Sequence, residues 1–169
     1  MKDFKLEHIL DCDLEIEWRI ISLEQIWMLR EPLEKLHQHH NSVSRYFPGS
    51  YPRITFEERV EEYKRNAEWG EYRIELLKEV EAENIIGYCI AYSRKISGKI
   101  EVLFVDEEHR GKGIGEKLVR NSMKWFESKG IEELELTVVY GNEAASFYQK
   151  LGFYPRSIIM TTRKDHNEL

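Results

Sequence analysis

The sequence predicts an α/β domain on a mixed sheet, with α+β character: helices first, then a β-meander, then a β-α-β-α-β run. Three observations carry this reading. The hydrophobic period changes from helical to strand-like at Gly70. An apolar run over 100–105 passes through a glycine-rich turn into a helical pattern over 116–129. Residues 133–140 then alternate, so the strands on either side of that helix should lie parallel, joined by a right-handed crossover.

The elements follow in order. Residues 3–21 mix acids with Ile, Leu and Trp and have room for one edge strand. From Ser22, the apolar positions Leu23, Ile26, Trp27, Leu33 and Leu36 fit a helical face, which Pro32 should kink or restart. Residues 41–52 hold Gly49, two prolines and polar side chains and read as a loop. Thr55 and Glu58 have capping-box spacing, and Phe56, Val60, Tyr63 and Ala67 form the stripe of a helix that stops at Gly70. Residues 72–80 and 85–92 are rich in β-formers and read as a hairpin, with a third strand over 99–105. The helix from Gly113 places Ile114, Leu118, Val119, Met123 and Phe126 on one face and ends at Gly130. A strand over 133–140, a turn at Gly141-Asn142, a short helix over 143–151 and a last strand over 157–162 complete the set. Residues 165–169 read as a polar tail that frays.

Composition narrows the function classes. At 169 residues, one domain spanning 1–169 is the expectation. The formal charge of -6 argues against a nucleic-acid partner, which wants a basic face, and favours cationic substrates. Cys12 and Cys89 are too few for a disulfide scaffold, so a reducing compartment is expected. The N-terminus has no long apolar run, so neither a signal peptide nor a membrane span is expected, and the cytoplasm is the simplest location. His37, His39 and His40 lack the Cys or carboxylate spacing of a metal site and read as a solvated helix end, so no metal is expected. The acidic run Glu57, Glu58, Glu61 and Glu62 reads as a solvated helix face, with attraction of a polyamine or basic peptide as the alternative. Tyr46, Phe47 and Tyr51 either anchor their loop or line a pocket.

The chemistry concentrates in residues 105–115. Gly111, Gly113 and Gly115 clear side chains from one patch of backbone, and the helix that follows points its free N–H groups there. This is an anion cradle, and phosphate is its common guest. The dinucleotide pattern G-x-G-x-x-G fails on spacing, and Lys112 is followed by Gly113 where a P-loop needs Ser or Thr. What remains is Arg110-x-x-Gly113-x-Gly115 after an apolar strand.

Arg110-Gly111-Lys112-Gly113-Ile114-Gly115 resembles the R-x-x-G-x-G/A signature of the GNAT superfamily of N-acetyltransferases. Asn142, Ala144, Phe147-Tyr148 and Leu151-Gly152-Phe153 resemble that family's second motif. The likeness runs from about Tyr72 to Arg163. It implies a GNAT-like acyl-coenzyme A fold, with acceptor-side helices over 1–70 and an acetyl-coenzyme A-binding core over 71–163. It also implies acetyl-coenzyme A as co-substrate and direct transfer of acetyl in a ternary complex to a primary amine, expected to be that of a small molecule. A peptide or protein amine, or a non-catalytic acyl-coenzyme A-binding module, are the alternatives. Arg110, Gly111, Lys112, Gly113, Ile114 and Gly115 would hold the pyrophosphate. Leu103, Phe104 and Val105 would pair with the pantetheine arm like an added strand, with Asn142 and Phe147 lining its other side. Glu101 is the candidate base, against a solvent-facing strand residue. Tyr148 matches the family's acid for the departing thiolate, against a core aromatic. Oligomeric state is left open by the residues; dimers are common in the family, so a homodimer is carried as an expectation.

Overall fold

The computed structural model describes residues 15–162. Five strands, β1 (Ile16–Ile21), β2 (Glu71–Glu79), β3 (Ile85–Arg94), β4 (Ser97–Val105) and β5 (Glu133–Leu136), lie side by side in chain order. Neighbours are antiparallel except β4 and β5, which are parallel as the crossover predicts. Helices α1 (Arg30–Val43) and α2 (Phe56–Ala67) precede β2; α3 (Ile114–Ser128) joins β4 to β5, and α4 (Ala144–Lys150) follows β5.

Strand alternation divides the core into two layers. Ile74, Leu76, Tyr88, Ile90 and Phe104 pack against Leu33 and Leu36 of α1 and Tyr63 of α2. Leu77, Cys89, Ala91 and Ile100 face Leu118, Val119 and Phe126 of α3. Gly87 permits close approach: a Cβ there would stand 3.1 Å from Ile114 and 3.2 Å from the Phe104 carbonyl. Inside the α3 layer, buried Glu75 is satisfied by Arg73 at 2.9 Å and Asn121 at 2.6 Å. Among the described residues, no helix is long and apolar enough to cross a membrane.

Several boundaries differ from expectation. Leu23–Leu29 is a 3-10 turn, and Pro32 lies in the first turn of α1, where a missing N–H is tolerated. Helix α1 runs through Val43, so the loop begins later than position 41; Asn41 holds Tyr51 from inside the helix with hydrogen bonds of 2.7 and 2.9 Å. The Thr55–Glu58 capping box is present. Strand β5 stops at Leu136, short of Tyr140, because β4 turns away from it. No strand forms over 157–162: Ile158, Ile159 and Met160 are 73%, 84% and 86% exposed, and β-propensity without a paired neighbour leaves that stretch extended and open. Cys12 and the 165–169 tail lie outside the described residues.

Candidate active site

The site begins at a defect in β4. Ile90 pairs with Val102 and Ala91 with Ile100, so Glu101 is an extra residue with no partner across the strand. This is a bulge, and it bends the strand that carries it. Its effect is visible in the packing: Ile100 belongs to the α3 layer, whereas Val102 and Phe104 belong to the α1–α2 layer. Pairing between β4 and β5 ends at Ile100 and Leu136. From Glu101 to Val105, no strand among the described residues pairs with the outer edge of β4, so this side of the strand is an open edge of the kind that an extended amide chain can join.

The glycine turn caps this gap. Gly111 and Gly113 have φ of 76° and 82°, and a Cβ on either would meet nothing within 4 Å, so open space faces both. Gly113 is the N-cap of α3 and directs the helix's unpaired N–H groups outward. Ile114 is buried in the core and anchors that first turn, while Lys112 and Arg110 are exposed. The Arg110 Nε donates to the Val105 carbonyl at 3.1 Å, folding the guanidinium back onto the strand end. A Cβ on Gly115 would stand 3.5 Å from Val105, 3.6 Å from Phe147 and 3.8 Å from Leu103. One glycine thus brings together three of the residues expected to line the arm. Phe104, another of them, sends its side chain into the α1–α2 layer and can offer only its backbone. The Asn142 side chain accepts from the Ala144 N–H at 2.9 Å and so starts α4.

Glu101 is mostly withdrawn from solvent, its side chain 13% exposed. Burial pushes its carboxyl pKa up, Lys99 at 3.9 Å opposes, Glu62 adds to the rise and Arg59 opposes it. Tyr63 and Tyr72 on the α1–α2 side sense its charge. Tyr148 belongs to the other layer, packed edge-on against Phe147 and Phe153 with ring centroids 5.0 and 6.0 Å apart. Burial raises its phenol above the ordinary value, so it stays protonated and can donate. The two candidates therefore lie on opposite faces of the sheet, either side of the β4–β5 gap.

Sequence reasoning missed what closes the far end. The Arg45 N–H donates to the Tyr140 carbonyl at 3.1 Å, and Tyr46 stacks on Tyr140 with ring centroids 5.7 Å apart. The loop after α1 is thus clasped to the chain leaving β5. Tyr51 stands edge-on to His40 at 5.3 Å; burial, followed by His39 and His37, pushes the His40 pKa down to about 4. Helix α1 also reaches the glycine turn through Lys35, 3.5 Å from Asp106. The sequence marks Tyr46 and Tyr51 as residues that anchor their loop or line a pocket, but nothing in the 41–52 composition names Tyr140 or His40 as their partners. Among the described residues, no group of three His, Cys, Asp or Glu is gathered for a metal.

Comparison with known proteins bears on the family and the fold. Residues 36–153 match the model of the acetyltransferase (GNAT) family. The chain is 43% identical over 61 residues to the uncharacterized N-acetyltransferase YobR of Bacillus subtilis, covering 36% of this chain and 25% of that one. It is 41% identical over 59 residues to N-alpha-acetyltransferase 30 of Schizosaccharomyces pombe, 34% of this chain and 39% of that one. It therefore spans well under half of the length of these relatives. The crystal structure of glucosamine-6-phosphate N-acetyltransferase from Arabidopsis thaliana is similar with a TM-score of 0.60 and 24% identity, over 89% of this chain and 99% of that one. With its fold, its split between β4 and β5 and its glycine turn accounted for, and with the family model covering most of its length, the chain belongs to the GNAT acetyltransferase family.

Proposed function

We propose that the protein is an N-acetyltransferase that moves acetyl from acetyl-coenzyme A to a primary amine of a small molecule. The observation that carries this is the gap opened at Glu101, with unpaired β4 backbone on one side and the glycine cradle at its end. Pyrophosphate fits the N–H groups of residues 111–115. The pantetheine amides fit the edge of Leu103–Val105 as an added strand.

The amine must be neutral to attack. Glu101, with its pKa raised by burial, is suited to take the ammonium proton directly or through water. The amine nitrogen bonds to the thioester carbon while the carbon–sulfur bond breaks, and the nitrogen gives up a further proton to water, from which the thiolate is in turn protonated. A β4 backbone N–H near Leu103 or Phe104 polarises the carbonyl oxygen. The sulfur leaves as thiolate and Tyr148 stabilises it by donating a hydrogen bond. Since that phenol is raised above its ordinary value and a thiol sits near 8.5, the donation weakens the thiolate's basicity more than it transfers the proton outright.

The likeness to glucosamine-6-phosphate N-acetyltransferase, whose name gives a small amino sugar, supports a small acceptor. A peptide amine is the second reading, favoured by the similarity to N-alpha-acetyltransferase 30. A thiol-release screen with small amines, polyamines, aminoglycosides, amino acids and peptides separates the two. Turnover of peptides alone would overturn the small-molecule reading, and no thermal shift with acetyl-coenzyme A would overturn both.

A further inference from the structure

Helix α1 touches both sides of the β4–β5 gap. Near its middle, the Lys35 ammonium stands 3.5 Å from Asp106, the residue that follows β4. Just past its end, the Arg45 N–H donates to the Tyr140 carbonyl on the chain leaving β5. Lys35 and His39 are one turn apart on the same face of the helix. His39 therefore follows Lys35 along the face that meets the turn after β4, where the phosphate cradle begins at Arg110.

The charges around His39 agree with that placement. Across the interface, Arg110 and Glu107 act on its imidazole. On its own helix, Lys35 is answered by Asp106 at 3.5 Å and Glu31 at 3.8 Å, and the His40 ring lies 6.5 Å away between centroids. His109 belongs to the same turn as Glu107, and its buried Nδ1 has no hydrogen-bond partner among the described residues. The His39 backbone carbonyl accepts from Ser42 at 2.8 Å, whereas its ring nitrogens make no hydrogen bond among the described residues. Burial first, then Arg110, pushes the His39 pKa down, and Glu107 opposes. The ring is thus held neutral beside a cradle built for an anion.

A diphosphate at residues 110–115 changes what the ring faces. Each phosphate carries a negative charge, which offsets Arg110 and favours the imidazolium. A protonated imidazole can then donate a charge-assisted hydrogen bond to a phosphate oxygen. We propose that His39 is a further coenzyme-binding residue, which takes up a proton from solvent and donates to the diphosphate when acetyl-coenzyme A binds. This role rests on the acetyl-coenzyme A reading above, and it gives α1, on the acceptor side of the sheet, a part in holding the donor.

The test is titration calorimetry with dephospho-coenzyme A, which keeps the diphosphate and lacks the phosphomonoester that itself titrates near pH 6. Each titration is run in two buffers of different ionisation enthalpy, so that proton uptake is read directly. The wild type takes up a fraction of a proton on binding near pH 6.5, and its affinity rises severalfold from about pH 7.5 to about pH 6. His39→Gln keeps a neutral donor: it binds within about twofold of the wild type at about pH 7.5, takes up no proton, and is about tenfold weaker than the wild type at about pH 6. His109→Gln, in the neighbouring turn, keeps the wild-type uptake and slope. Binding without proton uptake, an uptake that survives His39→Gln, or one that disappears with His109→Gln overturns the role of His39 and leaves the acetyl-coenzyme A reading standing. No binding of dephospho-coenzyme A or acetyl-coenzyme A at any pH overturns that reading, and the role of His39 with it.

Discussion

The Arg45 N–H donates to the Tyr140 carbonyl at 3.1 Å, and a Cβ on the following residue, Gly141, would lie 2.4 Å from the Val43 carbonyl oxygen. Gly141 is at φ +103°, so the clasp between the acceptor loop and β5 needs a residue without a side chain. Gly141→Ala must distort either the end of α1 or the turn. We expect a loss of roughly 1–3 kcal/mol in urea unfolding. An unchanged midpoint would show that the clasp yields freely.

The glycine cradle makes a separable prediction. Gly113→Val places a β-branched residue in the left-handed region, a strain of about 1–2 kcal/mol, and fills the space in front of the α3 N–H groups. Acetyl-coenzyme A affinity should fall at least about tenfold, since each charge-assisted hydrogen bond lost is worth on the order of 1.5–3 kcal/mol. Arg110→Ala should weaken binding with little change in stability, because the side chain is exposed and, among the described residues, its hydrogen bond goes to the Val105 carbonyl. Titration calorimetry with acetyl-coenzyme A reads both.

Glu101→Gln should lower kcat by roughly 10²–10⁴ and leave acetyl-coenzyme A binding intact. Stability moves the other way. A carboxyl whose folded pKa is raised favours folding while protonated, below its unfolded pKa, and that contribution is lost as pH rises through the folded pKa. At neutral pH the glutamine variant should therefore be no less stable than the wild type. The difference should vanish in acid, below the ordinary glutamate range near 4.3.

His40 sets an opposite slope. Its folded pKa is depressed to about 4, so between that value and the ordinary 6.5 the unfolded chain binds more protons. Stability should fall as pH drops through this window. His40→Asn should flatten that slope, as measured by thermal unfolding at a series of pH values.

Much of the candidate site's backbone is legible in the sequence. The glycines at alternate positions, the apolar strand before them and the Asn142–Phe153 stretch each announce local backbone needs, which a sequence records directly. The length of β5 was not legible. Residues 133–140 alternate perfectly well as a strand, and only the bulge on its neighbour denies the last four a partner. The stretch 157–162 failed for a related reason: β-formers state a capacity to pair, and pairing needs a second strand. The placement of Glu101 and Tyr148 in different layers was also hidden, because the bulge reverses which β4 side chains face α3.

The bulge ties two inheritances together. Losing Glu101 by deletion would restore the regular pairing of Ala91 with Ile100 and Ile90 with the next residue. The strand would straighten and close against β5, so a one-codon deletion would remove a carboxylate and a cleft in the same event. Substitution, by contrast, can change the side chain and spare the cleft. Descendants of this sequence that abandon the chemistry by point mutation would keep the shape, and with it the capacity to bind what that shape was built to receive.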